Sequence, residues 1–163
     1  GIRDIGVTGV QTCALPDLRS HVDNEAILEA ACGALSKLSG IAVNKAKATD
    51  TGAIEAVIAA LARHPRSPGV QEQGCAALAA ICVTPESQIK AAVAGGIEVV
   101  VAALHSHVED DKVQEAGCLA LKHLTANSEN HLIAADKGAQ ILRVHDVAAH
   151  AQVRAVFLAE RGC

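Results

Sequence analysis

Aromatic residues are almost missing from this 163-residue chain, which has one Phe, no Trp and no Tyr. That excludes stacking platforms for nucleobases and the aromatic readers of single-stranded nucleic acid. Methionine is missing too, even at position 1, so the chain is expected to be a piece of a longer product. No run of five or six like charges occurs, and the net charge of −4 is spread over both signs along the chain. Neither a nucleic acid nor an anionic membrane surface is therefore expected as a partner. The longest apolar stretches, such as residues 99–104, fall far short of the ~20 residues that span a bilayer. Catalytic signatures are missing as well. There is no GxSxG, HExxH or phosphate-cradling Walker loop, and Gly95-Gly96 lacks the further glycine spacing of a dinucleotide fingerprint. The carboxylates of Glu109, Asp110 and Asp111 cluster, but ahead of a predicted helix, where they favour its N-terminus. The expectation is a chain that is not an enzyme and needs no cofactor or metal.

What the chain does have is a repeat. Cys32, Cys75 and Cys118 are 43 residues apart, and the same step relates Leu35, Leu78 and Leu121. It also relates Gly52, Gly95 and Gly138, and His21, His64, His107 and His150. Laid over each other without a gap, residues 27–69 and 70–112 share 14 identities in 43 positions, and 70–112 and 113–155 share 13. A period of 43 excludes the tetratricopeptide and ankyrin lengths of about 34 and 33 and falls among armadillo and HEAT units of about 40–47. Of the six cysteines none forms a CxxC pair, and three repeat in register. Small buried thiols in a reducing compartment, cytoplasm or nucleus, are the expected reading.

Each unit reads as three helices. In residues 86–128, Ile89, Ala92 and Val93 give a first helix, which Gly95-Gly96 stops. Ile97, Val100, Val101 and Leu104 follow at i, i+3, i+4 and i+7, the spacing of one apolar helical face. The valine run would also suit a strand, but residues 54–61 are alanine-rich at the same places, which favours helix. Val113, Gly117, Ala120, Leu121 and Leu124 then predict a third helix of about 15 residues. No strand alternation appears, so the fold is predicted to be all-α. One unit cannot close its own core, and stacking of about three units would bury each third helix between its neighbours. Each histidine of the 43-step column closes a second helix, where an imidazolium suits the negative end of the dipole and can cap free carbonyls. Consecutive copies lie one repeat apart, about 10 Å, so one zinc ion, with ligands at about 2 Å, cannot bridge them. Cys75 and Cys82, at i and i+7 on the face of Leu78, read as core packing.

With its glycine turn and a third helix carrying "VQEQGCAALAAI" or "VQEAGCLALKHL", the layout resembles the armadillo repeat over residues 17 to about 150. The resemblance implies a right-handed α-solenoid whose third helices line a concave, peptide-binding groove. Matching the family's asparagine rung residue by residue places it at Lys37, Ala80 and His123, and the neighbouring aromatic position at Gly33, Ala76 and Leu119. Neither the asparagine ladder nor the aromatic shelf is present. The candidate binding residues are therefore Lys37, Gln73, Ala80 and His123, on an otherwise small-residue face.

Residues 1–16 resemble something else, an in-frame translation of a common short-read sequencing adapter, most clearly in Val7-Thr8-Gly9-Val10-Gln11-Thr12-Cys13-Ala14-Leu15-Pro16. The expected organisation is thus a non-native segment at 1–16 and an armadillo domain at 17–163, with incomplete ends. Gln140 and Arg143 replace the apolar Ile97 and Val100 of the preceding unit, and the phase is lost after His150. Val153, Val156, Phe157 and Leu158 would leave apolar surface at that end, so end-to-end self-association is expected of the isolated chain. The functional expectation is a non-catalytic interaction module of a larger scaffold or adaptor, binding a protein or peptide. Two alternatives stand beside it: the substrate-recruiting arm of a ubiquitin ligase whose catalytic part lies elsewhere, and a drifted fragment without function.

Overall fold

A computed structural model describes residues 20–127 and residue 130 of the chain. Residues 1–16, Gly138, Gln140, Arg143, His150 and the apolar residues 153–158, all invoked above, lie outside the described residues. Among the described residues the chain forms seven α-helices and no strand. They are α1 (Glu25–Leu38), α2 (Ala42–Asp50), α3 (Ala53–Arg63), α4 (Pro68–Ile81), α5 (Pro85–Val93), α6 (Gly96–Ser106) and α7 (Asp111–Leu124). The sequence period reappears in these bounds without slippage. Adding 43 to either end of α1, α2, α3 or α4 gives the same end of α4, α5, α6 or α7. The valine run lies within α6, with Ile97, Val100, Val101 and Leu104 on its buried side.

Local chemistry explains why the bounds recur. The residue before α1, α4 and α7 is Asn24, Ser67 and Asp110, each a good N-cap. The Asn24 Oδ1 accepts from the Ile27 N–H at 3.2 Å, and Asp110 Oδ1 accepts from the N–H groups of Lys112 and Val113, both at 3.1 Å. Ser67 makes no such side-chain bond, but Pro68 at the first helical position presets the backbone. α3 and α6 start after Gly52 and Gly95, whose φ angles of 81° and 84° lie in the left-handed region that only glycine enters cheaply. α5 begins with a capping box between Thr84 and Ser87.

α4 lies between α1 and α7, and these pairs have the most extensive helix contacts among the described residues. Leu35, Leu78 and Leu121, in register, are at most 1 % exposed, and Cys32, Val57, Ile81, Ile97 and Leu124 complete a continuous apolar core. Cys32, Cys75 and Cys82 are free, buried thiols; burial pushes each from 9.0 up to about 12.

Close packing of the second and third helices depends on two more glycines in register. A Cβ on Gly74 would lie 2.6 Å from Leu61 Cδ2, and one on Gly117 would lie 2.7 Å from Leu104 Cδ2. Both leucines are buried, so neither can swing into solvent. Gly74→Ala gains roughly 1 kcal/mol of helix propensity but overpacks the joint, which costs about 1–3 kcal/mol, and net destabilisation is expected. At Gly33 the nearest atom is Gln73 Oε1 at 2.9 Å, the end of a flexible side chain. Gly33→Ala is therefore expected to be neutral or stabilising by up to about 1 kcal/mol. Denaturant titrations check the opposite signs, and a stabilising Gly74→Ala would show that the Leu61 contact is looser than described.

Candidate functional site

Helices α1, α4 and α7 each leave one stripe uncovered by the other described residues. Positions i, i+4 and i+8 on a helix fall on one face, and in the three helices these are Glu29, Gly33 and Lys37; Glu72, Ala76 and Ala80; Glu115, Leu119 and His123. Every one of the nine is exposed or half-buried, with Leu119 at 45 %. Along each helix the stripe spans eight residue steps, about 12 Å at 1.5 Å per step. The middle of this face is small on α1 and α4 (Gly33, Ala76) and apolar on α7 (Leu119), a carboxylate borders one side of every rung, and Lys37 and His123 stand on the other.

Of the four residues expected from the sequence, Lys37, Ala80 and His123 lie on these stripes and Gln73 lies beside the α4 stripe, and they are not equally free. Lys37 is exposed on α1 and Ala80 is half-buried on α4. Gln73 donates from Nε2 to Glu72 Oε1 at 3.0 Å, and its Oε1 lies over Gly33 in the space a side chain would fill. His123 donates from Nδ1 to the carbonyl of Ala79 at 2.7 Å, which ties its ring to the neighbouring helix α4. The glutamate rung was missed by sequence reasoning, although its signal was present: Glu29, Glu72 and Glu115 are themselves 43 apart. Glu29 lies against Gly69 in the first turn of α4, where a carboxylate suits the positive end of the helix.

The histidine column acts differently from the expected capping of its own helix. His64 and His107 do stand at the C-caps of α3 and α6. Their rings, however, reach back to the preceding unit. His64 Nε2 bonds the carbonyl of Val22 at 2.6 Å, and His107 Nε2 bonds that of Pro65 at 2.9 Å, again 43 residues on. The carbonyls at the end of their own helices are taken by an amide instead. Gln71 Nε2 donates to Leu61 O and His64 O, both at 2.9 Å. Gln114 Nε2 repeats this with Leu104 O at 2.8 Å and His107 O at 2.9 Å. Gln71 is 1 % exposed, and the two glutamines went unread because nothing in the sequence marks a buried amide that bridges two turns. Gln71→Ala would strand these buried acceptors at a cost of about 1–3 kcal/mol. Gln71→Leu, with the residue that stands at the equivalent Leu28, should cost a similar amount by losing the same two bonds, and a melt of both variants checks this.

Around this joint the ion pairs are few. Arg63 bonds Asp23, and Lys90 pairs with Glu55 at 3.4 Å while donating to the carbonyl of Thr49. Among the described residues no group of three or more His, Cys, Asp and Glu side chains could hold a metal ion. No single described helix is long and apolar enough to cross a membrane, and the nearest pair, α5 and α6, bends by 72° at Gly95. Beside the loop after α6 lies an open concavity of about 810 Å³, lined by Glu72, His105, Ser106, Glu109, Asp111 and Lys112 among others. No family model, curated protein or solved structure matches the chain.

Proposed function

We propose that this chain is a non-catalytic protein-interaction module of armadillo type, a solenoid that takes a protein or peptide partner across the face of α1, α4 and α7. The observation that carries the reading is the recurrence of every helix bound at one step of 43, with the same side-chain contacts at each joint. Units that repeat in this way bury their cores against one another and leave a continuous outer surface, the usual working surface of such architectures. Three such stripes lie side by side here, flanked by charge and floored by small side chains on α1 and α4. The face can therefore be approached closely by a partner's backbone.

Peptides selected from a random displayed library against residues 17–163 test the reading. Amide exchange should place their footprint on α1, α4 and α7. Leu119→Arg and Ala76→Arg should each weaken binding at least about tenfold, as loss of a central contact does. A footprint on α2 and α5 instead, or unchanged affinity in both variants, would overturn it.

A further inference from the structure

Most hydroxyls among the described residues are buried or committed to hydrogen bonds. Ser39, Ser67 and Ser87 are buried, and Thr51, Thr84 and Thr125 commit their hydroxyls to local hydrogen bonds. Ser106 is different. It is the last residue of α6, exposed, and lines the open concavity beside the following loop. Acidic residues follow it at +3, +4 and +5: Glu109, Asp110 and Asp111. Asp110 is occupied as the N-cap of α7, whereas Glu109 and Asp111 are exposed. Two units earlier, Ser20 also precedes an acid at +3, but the carboxylate of that Asp23 is held by Arg63.

We propose that Ser106 is a phosphorylation site for an acidophilic serine/threonine kinase, one whose substrate groove is lined by basic side chains. Kinases choose substrates by such charge patterns, and an exposed serine ahead of three carboxylates supplies the pattern. In the transfer, Ser106 Oγ forms a bond to the γ-phosphorus of ATP as the bond to the β–γ bridging oxygen breaks. ADP leaves, and the hydroxyl proton passes to the kinase's catalytic base. The kinase must draw the segment out into an extended form, and helix ends and loop tips open at the lowest cost. One residue anchors the segment. His107 donates its N–H to Ala103 O at 3.0 Å and its ring to Pro65 O, while its carbonyl accepts from Asp110 N–H and from Gln114. Val108, beyond it, is 60 % exposed. Once attached, the phosphate sits at the negative end of the α6 dipole and beside Glu109 and Asp111, where added negative charge is repelled. The repulsion strains the bond from His107 to Pro65, so the phosphorylated joint between units is weaker.

The test is incubation of the folded full chain with ATP and an acidophilic kinase, a basophilic kinase serving as control, followed by peptide mapping. Phosphate is expected on Ser106, with most incorporation lost in Ser106→Ala. The double variant Glu109→Gln/Asp111→Asn, which keeps the Asp110 cap, should slow incorporation by about tenfold or more. Equal incorporation in Ser106→Ala, equal rates in the double variant, or transfer only after unfolding in urea would each overturn the proposal. The weakened joint should show as a lower melting temperature of the phosphorylated chain, and an unchanged melt would refute that consequence.

Discussion

Truncating Leu78 to alanine should cost about 2–5 kcal/mol, near the upper end of that range. Its side chain is wholly buried at the centre of α4, the helix enclosed on both sides by α1 and α7. A cavity costs most where its walls cannot collapse, and a helix held between two neighbours has little freedom to move inward. Domains of this size are stable by only about 5–15 kcal/mol, so one methyl-bearing side chain would remove a large share. Among the described residues α4 packs extensively against both α1 and α7, whereas α7 packs so only against α4. Leu121→Ala should therefore cost no more than Leu78→Ala, although both leucines are at most 1 % exposed. Lys37→Ala, on the exposed stripe of α1, should stay within about 0.5 kcal/mol. Urea titrations of the three variants decide the matter. Equal losses at Lys37 and Leu78 would mean that the buried and exposed faces of the third helices have been assigned the wrong way round.

The contrast between these residues was legible because the period does the work of an alignment. Leu35, Leu78 and Leu121 share a phase, as do Lys37, Ala80 and His123, and a helical period of 3.6 separates the two sets onto different faces. Helix ends were legible to within a residue or two for the same reason. The predicted first helix over 86–94 is α5, Pro85–Val93, and the difference comes from Pro85, which starts a helix without needing its N–H. Side-chain direction was not legible. The sequence puts His64 and His107 at helix ends, but whether each ring turns to its own carbonyls or to a turn 42 residues earlier depends on how units stack. Gln71 and Gln114 stood in the quoted repeat without showing that they bridge the two carbonyls the histidines were expected to cap. Gln73 looked free on a helix surface, yet the missing side chain of Gly33, on the neighbouring helix, decides where its amide rests.

Alkaline pH should unfold this protein earlier than the few ion pairs among its described residues would suggest. Cys32, Cys75 and Cys82 are each raised from 9.0 to about 12, because burial strips solvent from the thiolate and leaves the neutral thiol favoured. Cys118, only half-buried, shifts in the same direction. Between pH 9 and 12 the unfolded chain has lost these protons while the folded chain still holds them. Fewer protons bound in the unfolded state means stability falls as pH rises. The thiols' full contribution is thus present below pH 9 and lost on the way to pH 12. At pH 10.5 each buried thiol is about 1.5 pH units past its unfolded value, worth on the order of 2 kcal/mol against folding, with Cys75 also raised by the neighbouring Cys32 and Cys118. Stability measured by urea titration from pH 8 to pH 10.5 should therefore decline, and Cys75→Ala should flatten the decline because one titrating group is removed. Its cavity cost is pH-independent, so it shifts the curve without changing the slope. At pH 8 the same burial should keep Cys32, Cys75 and Cys82 unlabelled by a thiol reagent in folded protein, since only the thiolate reacts. A flat pH profile, or rapid labelling of Cys75 without unfolding, would show that the column of thiols is wetter than its packing implies.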